Sequence, residues 1–128
     1  MNATLTITLP GLPPKECSPN ARVHPLAKAR VTRRYRDEVR IRAWSALMAQ
    51  PHGYWLAPDK AQVDVTFVVP DRRRRDKTNL AASFKAGLDG IVDAGILVDD
   101  SHEHCDDQYH VKYEKGVSQT IVEVKEGA

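Results

Sequence analysis

The chain is poor in the residues that define several common functional classes. It has only two cysteines, Cys17 and Cys105, among 128 residues. They allow one disulfide at most, and a pair of reduced thiols in a cytosolic protein is the expectation. Aromatic residues make up 6% of the chain, and they do not form the interleaved stacking motif of RNA-binding modules. No apolar run approaches the roughly 20 residues that span a bilayer. The stretch MNATLTITLPGLPP has no basic flank ahead of a long apolar core, so it does not read as a signal peptide. A Gly-rich phosphate loop with its lysine is missing, which argues against a nucleotide cofactor. A nucleophile elbow is missing too, which leaves Ser-His-Asp catalysis unsupported. The segment SHEHCDDQYH holds His102, His104 and Cys105, but their spacing matches no common structural zinc pattern and a second paired cluster is lacking.

What is present suits one folded domain covering residues 1–128. Hydrophobic residues make up 41% and charged residues 28%, and the length is near that of common domains with a core of their own. The net charge of +2 conceals an asymmetry. Residues 1–75 carry 14 Lys+Arg against 6 Asp+Glu, whereas residues 76–128 carry 5 against 11. A basic half suggests a polyanionic partner. The acids of the other half must face away, pair with the arginines or hold cations.

Periodicity gives an α+β reading. Residues 3–9 alternate as a strand and end at a Pro/Gly-rich turn. Residues 15–27 are turn-rich and aperiodic, which predicts a long loop. From about Lys28 to Gln50, Val31, Tyr35, Val39, Ala43, Ala46 and Leu47 share one helical face, with Arg33, Arg34, Asp37 and Arg40 largely off it. Pro51, His52 and Gly53 break that helix. Residues 61–69, AQVDVTFVV, alternate as a strand. Leu80, Phe84, Leu88, Ile91 and Val92 predict a second helix over Thr78–Asp93, stopped by Gly95. Ile96–Val98 reads as a short extended run. Residues 109–114 and 119–125 read as closing strands around Gly116. The sum is a single small domain with a mixed sheet and two main helices.

Chemistry concentrates between Pro70 and Asp100. Arg72–Arg75 join the end of the clearest strand to a helix start, where sites of α/β architectures gather. They suit a phosphate backbone, although in an extended segment only alternate arginines reach one path. Asp76, Thr78 and Asn79 are capping residues, but three in four positions exceed what one cap needs. Asp76 stays ionised beside Arg75 and the positive helix end, as Mg²⁺ requires of a ligand. Lys85 and Asp89, four apart, form either a surface ion pair or a lysine oriented toward a phosphate. Asp99 and Asp100 follow a turn glycine, and on an extended run only one of them faces a site.

These residues resemble the core of RusA-type Holliday junction resolvases, crossover junction endodeoxyribonucleases common in phages and prophages. The quoted motifs are PDRRRRD, Asn79-Leu80, a Lys-containing helix ending near LDG, and DAGIL followed by Asp99-Asp100; TITLPGLPP and the basic Tyr-Arg-Asp helix add to the likeness. The resemblance implies a small α+β homodimer in the cytoplasm of a bacterial host. It implies binding to four-way junction DNA and paired nicks made with Mg²⁺, for which Mn²⁺ may substitute. By position, Asp76 and Asp100 match metal-site aspartates and Asn79 the following asparagine, while Arg75 and Lys85 match essential basic residues. Asp89 and Asp99 are further metal candidates. Arg72, Arg73, Arg74, Arg75, Asn79, Arg33, Arg34 and Arg40 are the expected DNA contacts. Where the family has Asp-x-Asp-Asn, this chain has Asp76-Lys77-Thr78-Asn79, so one acid is missing. A non-catalytic junction-binding protein is therefore the alternative. Asp89 can replace the missing acid beside Asp76 only if the residues after Asp76 fold back, since three turns of straight helix span roughly 16 Å. The folded-back arrangement is the expectation; if the helix starts at Thr78 instead, Asp99 is the better substitute.

Overall fold

The computed structural model describes residues 4–51 and 55–127. Four strands, β1 (Leu5–Pro10), β2 (Ala61–Val69), β3 (Cys105–Tyr113) and β4 (Gln119–Glu126), form one mixed sheet in the order β1-β4-β2-β3. β4 is antiparallel to both β1 and β2, and β3 runs parallel to β2. Three α-helices, α1 (Pro25–Met48), α2 (Lys77–Ser83) and α3 (Lys85–Asp93), and one turn of 3-10 helix at Lys15–Cys17 within the expected loop complete a small α+β domain.

Alternation decides which face is covered. Leu5, Ile7 and Leu9 of β1, Val63, Val65 and Phe67 of β2, and Val122 and Val124 of β4 are buried under the helices. Thr6 and Thr8, Glu123 and Lys125 point away and are exposed. Tyr35, Val39 and Ala43 of α1 face the core as their spacing predicts. α1 begins at Pro25, inside the expected loop, because proline suits the first helical turn and the His24 ring accepts the Leu26 N–H at 3.1 Å. It ends at Met48, before Pro51. Of the other residues expected to break it, His52 and Gly53 lie outside the described residues.

Three expectations need correction. The second helix is two, divided at Phe84, whose backbone leaves helical geometry (φ −87°, ψ 0°). Its ring turns fully into the core, edge-on to both Tyr35 and Phe67. Gly87 makes room, since a Cβ there would collide with that ring. Secondly, no loop folds back after Asp76, because helix begins at Lys77. Thirdly, Ile96–Val98 is not a strand. Gly95, at φ +82°, ends α3, and the Ile96 carbonyl accepts the Trp55 indole N–H at 3.0 Å instead of a sheet partner. β3 in turn starts earlier than its alternation suggests, with Cys105 paired to Ala61.

Candidate active site

Two neighbouring surfaces carry the residues singled out above, and α2 links them. At its amino-terminal end, Asp76 caps the helix. One oxygen, Oδ1, accepts the backbone N–H of Thr78 at 2.9 Å and of Asn79 at 3.3 Å. Among the described residues no hydrogen bond engages the other oxygen. Asp76 shares a shallow cleft with Arg73, Arg75, Asn79, Lys15 and Ser18. Asn79 ties this helix to the amino-terminal loop, its side-chain oxygen accepting from Ser18 Oγ at 3.1 Å and Asn20 Nδ2 at 3.2 Å.

The arginines divide by direction, as an extended segment requires. Arg75 folds back on the loop, donating to Asp71 Oδ1 at 2.8 Å and to the backbone oxygens of Asp71 and Arg73. That hydrogen bond is the main reason the Asp71 carboxyl is held below the usual carboxylate range. Arg75 thus organises the loop that displays the others. Arg72 lies over the Tyr113 ring, 4.4 Å from its centroid. Arg73 faces the Asp76 cleft, and Arg72, Arg73 and Arg74 are exposed.

At the other end of α2, the break at Phe84 brings Lys85 out at the start of α3. Its ammonium hydrogen-bonds to Asp89 Oδ1 at 2.8 Å and to Asp100 Oδ2. The helix pair and the contact to the turn after α3 thus coincide. The hydrogen bond from Lys85, outweighing partial burial, holds the Asp100 carboxyl below its ordinary range. Partial burial works against the Lys85 charge, but Asp100 and Asp89 more than offset it and its pKa is raised. Asp99 is the acid of the pair that does not face Lys85. Its Oδ1 accepts the Asp100 backbone N–H at 2.8 Å, which fixes the turn.

Sequence reasoning missed two residues of this cleft. Thr78, Lys85, Leu88, Asp100, Asp107 and Tyr109 line it together. Asp107 stands in the segment SHEHCDDQYH, weighed only for zinc, and ahead of the strand expected from residue 109, whereas it lies on β3 and accepts the Tyr109 hydroxyl at 2.7 Å. Burial first and that hydrogen bond second push the Tyr109 hydroxyl far up. Cys105 is buried, and burial followed by the charge of Asp107 pushes its thiol up to about 12. It is therefore neither a thiolate ligand nor a nucleophile near neutral pH. His104 is engaged elsewhere, with Nδ1 2.8 Å from the Asp59 carbonyl oxygen. Both cysteines are free thiols.

The arginines of α1 do not form an uninterrupted basic face. Arg40 approaches Asp37 at 4.0 Å and Arg42 approaches Glu38 at 3.6 Å, so exposed charges alternate in sign. Arg33 and Arg34 are exposed, and Arg34 borders a shallow groove with Asp37, Glu38 and Ile41.

No family model matches the chain. It is 36% identical over 99 residues to an uncharacterized protein of Xylella fastidiosa (strain Temecula1 / ATCC 700964). That alignment takes in 74% of this chain and 60% of the relative, so the chain spans less than two thirds of that protein's length. The resemblance to RusA-type resolvases therefore rests on the motifs themselves. No described helix is long and apolar enough to cross a membrane.

Proposed function

We propose that the chain is a Mg²⁺-dependent, structure-selective DNA endonuclease that resolves four-way junctions by paired phosphodiester hydrolysis during recombination or repair. The observation that carries this reading is the convergence of Asp89 and Asp100 on one positive centre, the Lys85 ammonium, at the end of a helix whose other end adjoins four arginines. Anionic ligands and a polyanion-binding loop on one small surface suit a phosphodiester held against a cation.

The donor set fits Mg²⁺, which is commonly held by one or two carboxylates with water and substrate phosphate completing its shell. Asp89 and Asp100 are the pair that would hold it; Asp76, capping the far end of α2 in the neighbouring cleft, is not brought to that pair. Among the described residues no group of three or more His, Cys, Asp or Glu is placed to enclose a metal, so water and phosphate would supply the rest. When bound, such an ion lowers the pKa of a water and polarises the phosphate. The chain's own residues do the remainder. Lys85 keeps its proton, and its ammonium can turn from the two acids toward a phosphate oxygen as charge builds there. Arg72, Arg73 and Arg74 hold the strand, and Arg75 holds the loop that presents them.

Paired nicks need two sites, and α1 offers a surface for a second copy. Ile41, Trp44 and Met48 lie on one stripe and remain 56%, 54% and 52% exposed. A symmetric dimer seated there would bury them and give two sites.

The competing reading is a junction-binding protein without catalysis. Thr78 in place of an acid favours it, as does the neutralisation of Asp89 and Asp100 by Lys85. Incubation with labelled four-way junction, duplex and single strand, with Mg²⁺ and with EDTA, separates the two. Junction cutting that EDTA abolishes is the expected result. Tight junction binding without cutting at any Mg²⁺ concentration leaves the binding protein, and no binding to any DNA at low salt removes both.

A further inference from the structure

The helix-facing row of β3 is a second feature of the same surface. In the parallel register Asp107, Tyr109, Val111 and Tyr113 sit opposite Val63, Val65, Phe67 and Val69. Those β2 residues are buried under the helices, so the four β3 residues share that face at the sheet edge. Asp107 and Tyr109 lie beside Lys85 and Asp100 in the cleft. Tyr109 stacks on Phe67 with planes 8° apart and is fixed. Cover ends there. Val111 and Tyr113 remain 42% and 40% exposed although they lie on the core side of the sheet. The only group described on the Tyr113 ring is the Arg72 guanidinium, 4.4 Å from its centroid. The row thus leads from the acidic cleft to the arginine loop.

The geometry points to Tyr113 as a stacking platform for one unpaired nucleobase of a DNA strand held by Arg72, Arg73 and Arg74. This rests on the nucleic-acid reading above and adds what the site recognises beyond the backbone. A guanidinium is planar, positively charged and weakly held over an exposed ring. A base stacks on the same ring more strongly and is sequence-tolerant, because every base has a π-face. Displacement of Arg72 by a base frees its guanidinium for the adjacent phosphate, so one movement makes both contacts. A protein partner suits this place poorly. The apolar surface is two side chains, far below what a stable interface buries, and the Arg72 guanidinium brings positive charge onto it. Paired duplex keeps its bases stacked on one another, whereas a branch point offers an unpaired one. Tyr113 therefore favours branched DNA over duplex.

The test uses the full chain, with Tyr113→Ala and Tyr113→Phe variants. The probes are a forked DNA with 2-aminopurine at the first unpaired position and a fully paired duplex with the same label. The expected result is that fork affinity falls about 5- to 150-fold in Tyr113→Ala and is retained in Tyr113→Phe. The fluorescence change on fork binding should be lost only in the alanine variant, while duplex binding is unchanged in both. Circular dichroism and the unfolding midpoint identify a misfolded alanine variant, and Arg72→Gln, which uncovers the ring at the loss of one phosphate contact, must then retain the fluorescence change at saturating protein. If Tyr113→Ala, or Arg72→Gln in its stead, contradicts these results while the parent binds duplex in a salt-dependent way, the stacking role is wrong and the backbone reading stands. If the parent binds neither probe at low salt, the nucleic-acid reading fails and the stacking role with it.

Discussion

Gly90 meets the backbone of Arg36. A Cβ on Gly90 would stand 2.5 Å from the Arg36 carbonyl oxygen and 3.0 Å from the Arg40 amide nitrogen. This is the α1–α3 crossing, and on the same turn Arg36 pairs with Asp93 through Nε–Oδ2 at 2.6 Å and Nη2–Oδ1 at 2.8 Å. Neither atom that the methyl would meet is the end of a flexible side chain, so the helices must separate. Gly90→Ala is therefore expected to destabilise by about 1–3 kcal/mol, the range for overpacking, despite a helix-propensity gain of about 1 kcal/mol. A urea midpoint equal to or above that of the parent would show that the crossing relaxes.

The two acids on Lys85 make a second prediction. Asp100→Asn and Asp89→Asn each remove a candidate ligand and a charge that repels phosphates. Both should abolish Mg²⁺-dependent cutting while leaving junction binding unchanged or tighter. Lys85→Ala has the opposite effect on the ion. It leaves two neighbouring carboxylates without their counter-charge, so Mn²⁺ should bind more tightly in a calorimetric titration even as cutting falls. Equal Mn²⁺ affinity in parent and Lys85→Ala would mean that the acids do not converge on a cation in solution.

Much of this was legible in the chain, and the failures share a cause. Strict alternation in AQVDVTFVV gave β2, and the face bearing Tyr35, Val39 and Ala43 gave α1, because one buried side imposes a period on each. Lys85 and Asp89 were readable as a pair from helical spacing alone. The approach of Asp100 to that pair depends on the break at Phe84, and no proline or glycine occupies that position. The break comes from a ring filling space between Tyr35 and Phe67, which only the assembled core defines. Asp107 was hidden for a similar reason. The acidic start of β3 lacks the alternation that marks a strand, and the parallel pairing of Cys105 with Ala61 that makes it one is long-range and leaves no local signature.

The pH dependence of stability follows from the Asp100–Lys85 contact. The Asp100 carboxyl is depressed, so its contribution is present above the unfolded carboxylate value, about 3.9, and is lost as pH falls through the lower folded value. The Lys85 pKa is raised, so its contribution is present below about 10.4 and is lost as pH rises through the higher folded value. The stability gap between parent and Asp100→Asn should be flat across neutral pH and close on acidification below about 4. Urea midpoints at several pH values check this. A gap that persists with Asp100 protonated would assign the effect to packing instead.

Salt dependence tests the arginine loop. Contact with about 6 duplex phosphates gives a log–log slope of binding against salt near −5. Arg74 is exposed, and exposed Arg72 lies over the Tyr113 ring, whereas Arg75 hydrogen-bonds across the loop and braces it. Replacing Arg72 and Arg74 together by Ala should flatten the slope by about 2 without altering the fold. A slope near zero in the parent would remove the nucleic-acid reading.

The missing acid gives the last prediction. Thr78 is the second residue of α2 and borders the same cleft as Lys85, Asp100 and Asp107. Asp89 and Asp100 already meet on Lys85, so under the proposed function Asp89 would take up part of the role of the absent acid. Even so, Lys85 offsets one of those two negative charges, leaving the cluster with a net charge of only about −1 for a divalent ion. A carboxylate at position 78 adds to that charge within the same cleft. It also lies in the first turn of α2, where an acid gains about 0.3–1 kcal/mol from the helix dipole. Thr78→Asp should therefore fold at least as well as the parent and reach half-maximal cutting at a Mg²⁺ concentration several-fold lower. At saturating Mg²⁺ the two rates should converge, because the substitution strengthens ion binding and leaves Lys85 and the arginines in place. An unchanged Mg²⁺ midpoint would show that position 78 does not face the ion and that Asp89 alone replaces the missing acid. Cutting by Thr78→Asp where the parent has none would establish that this single replacement separates a junction-binding protein from a nuclease.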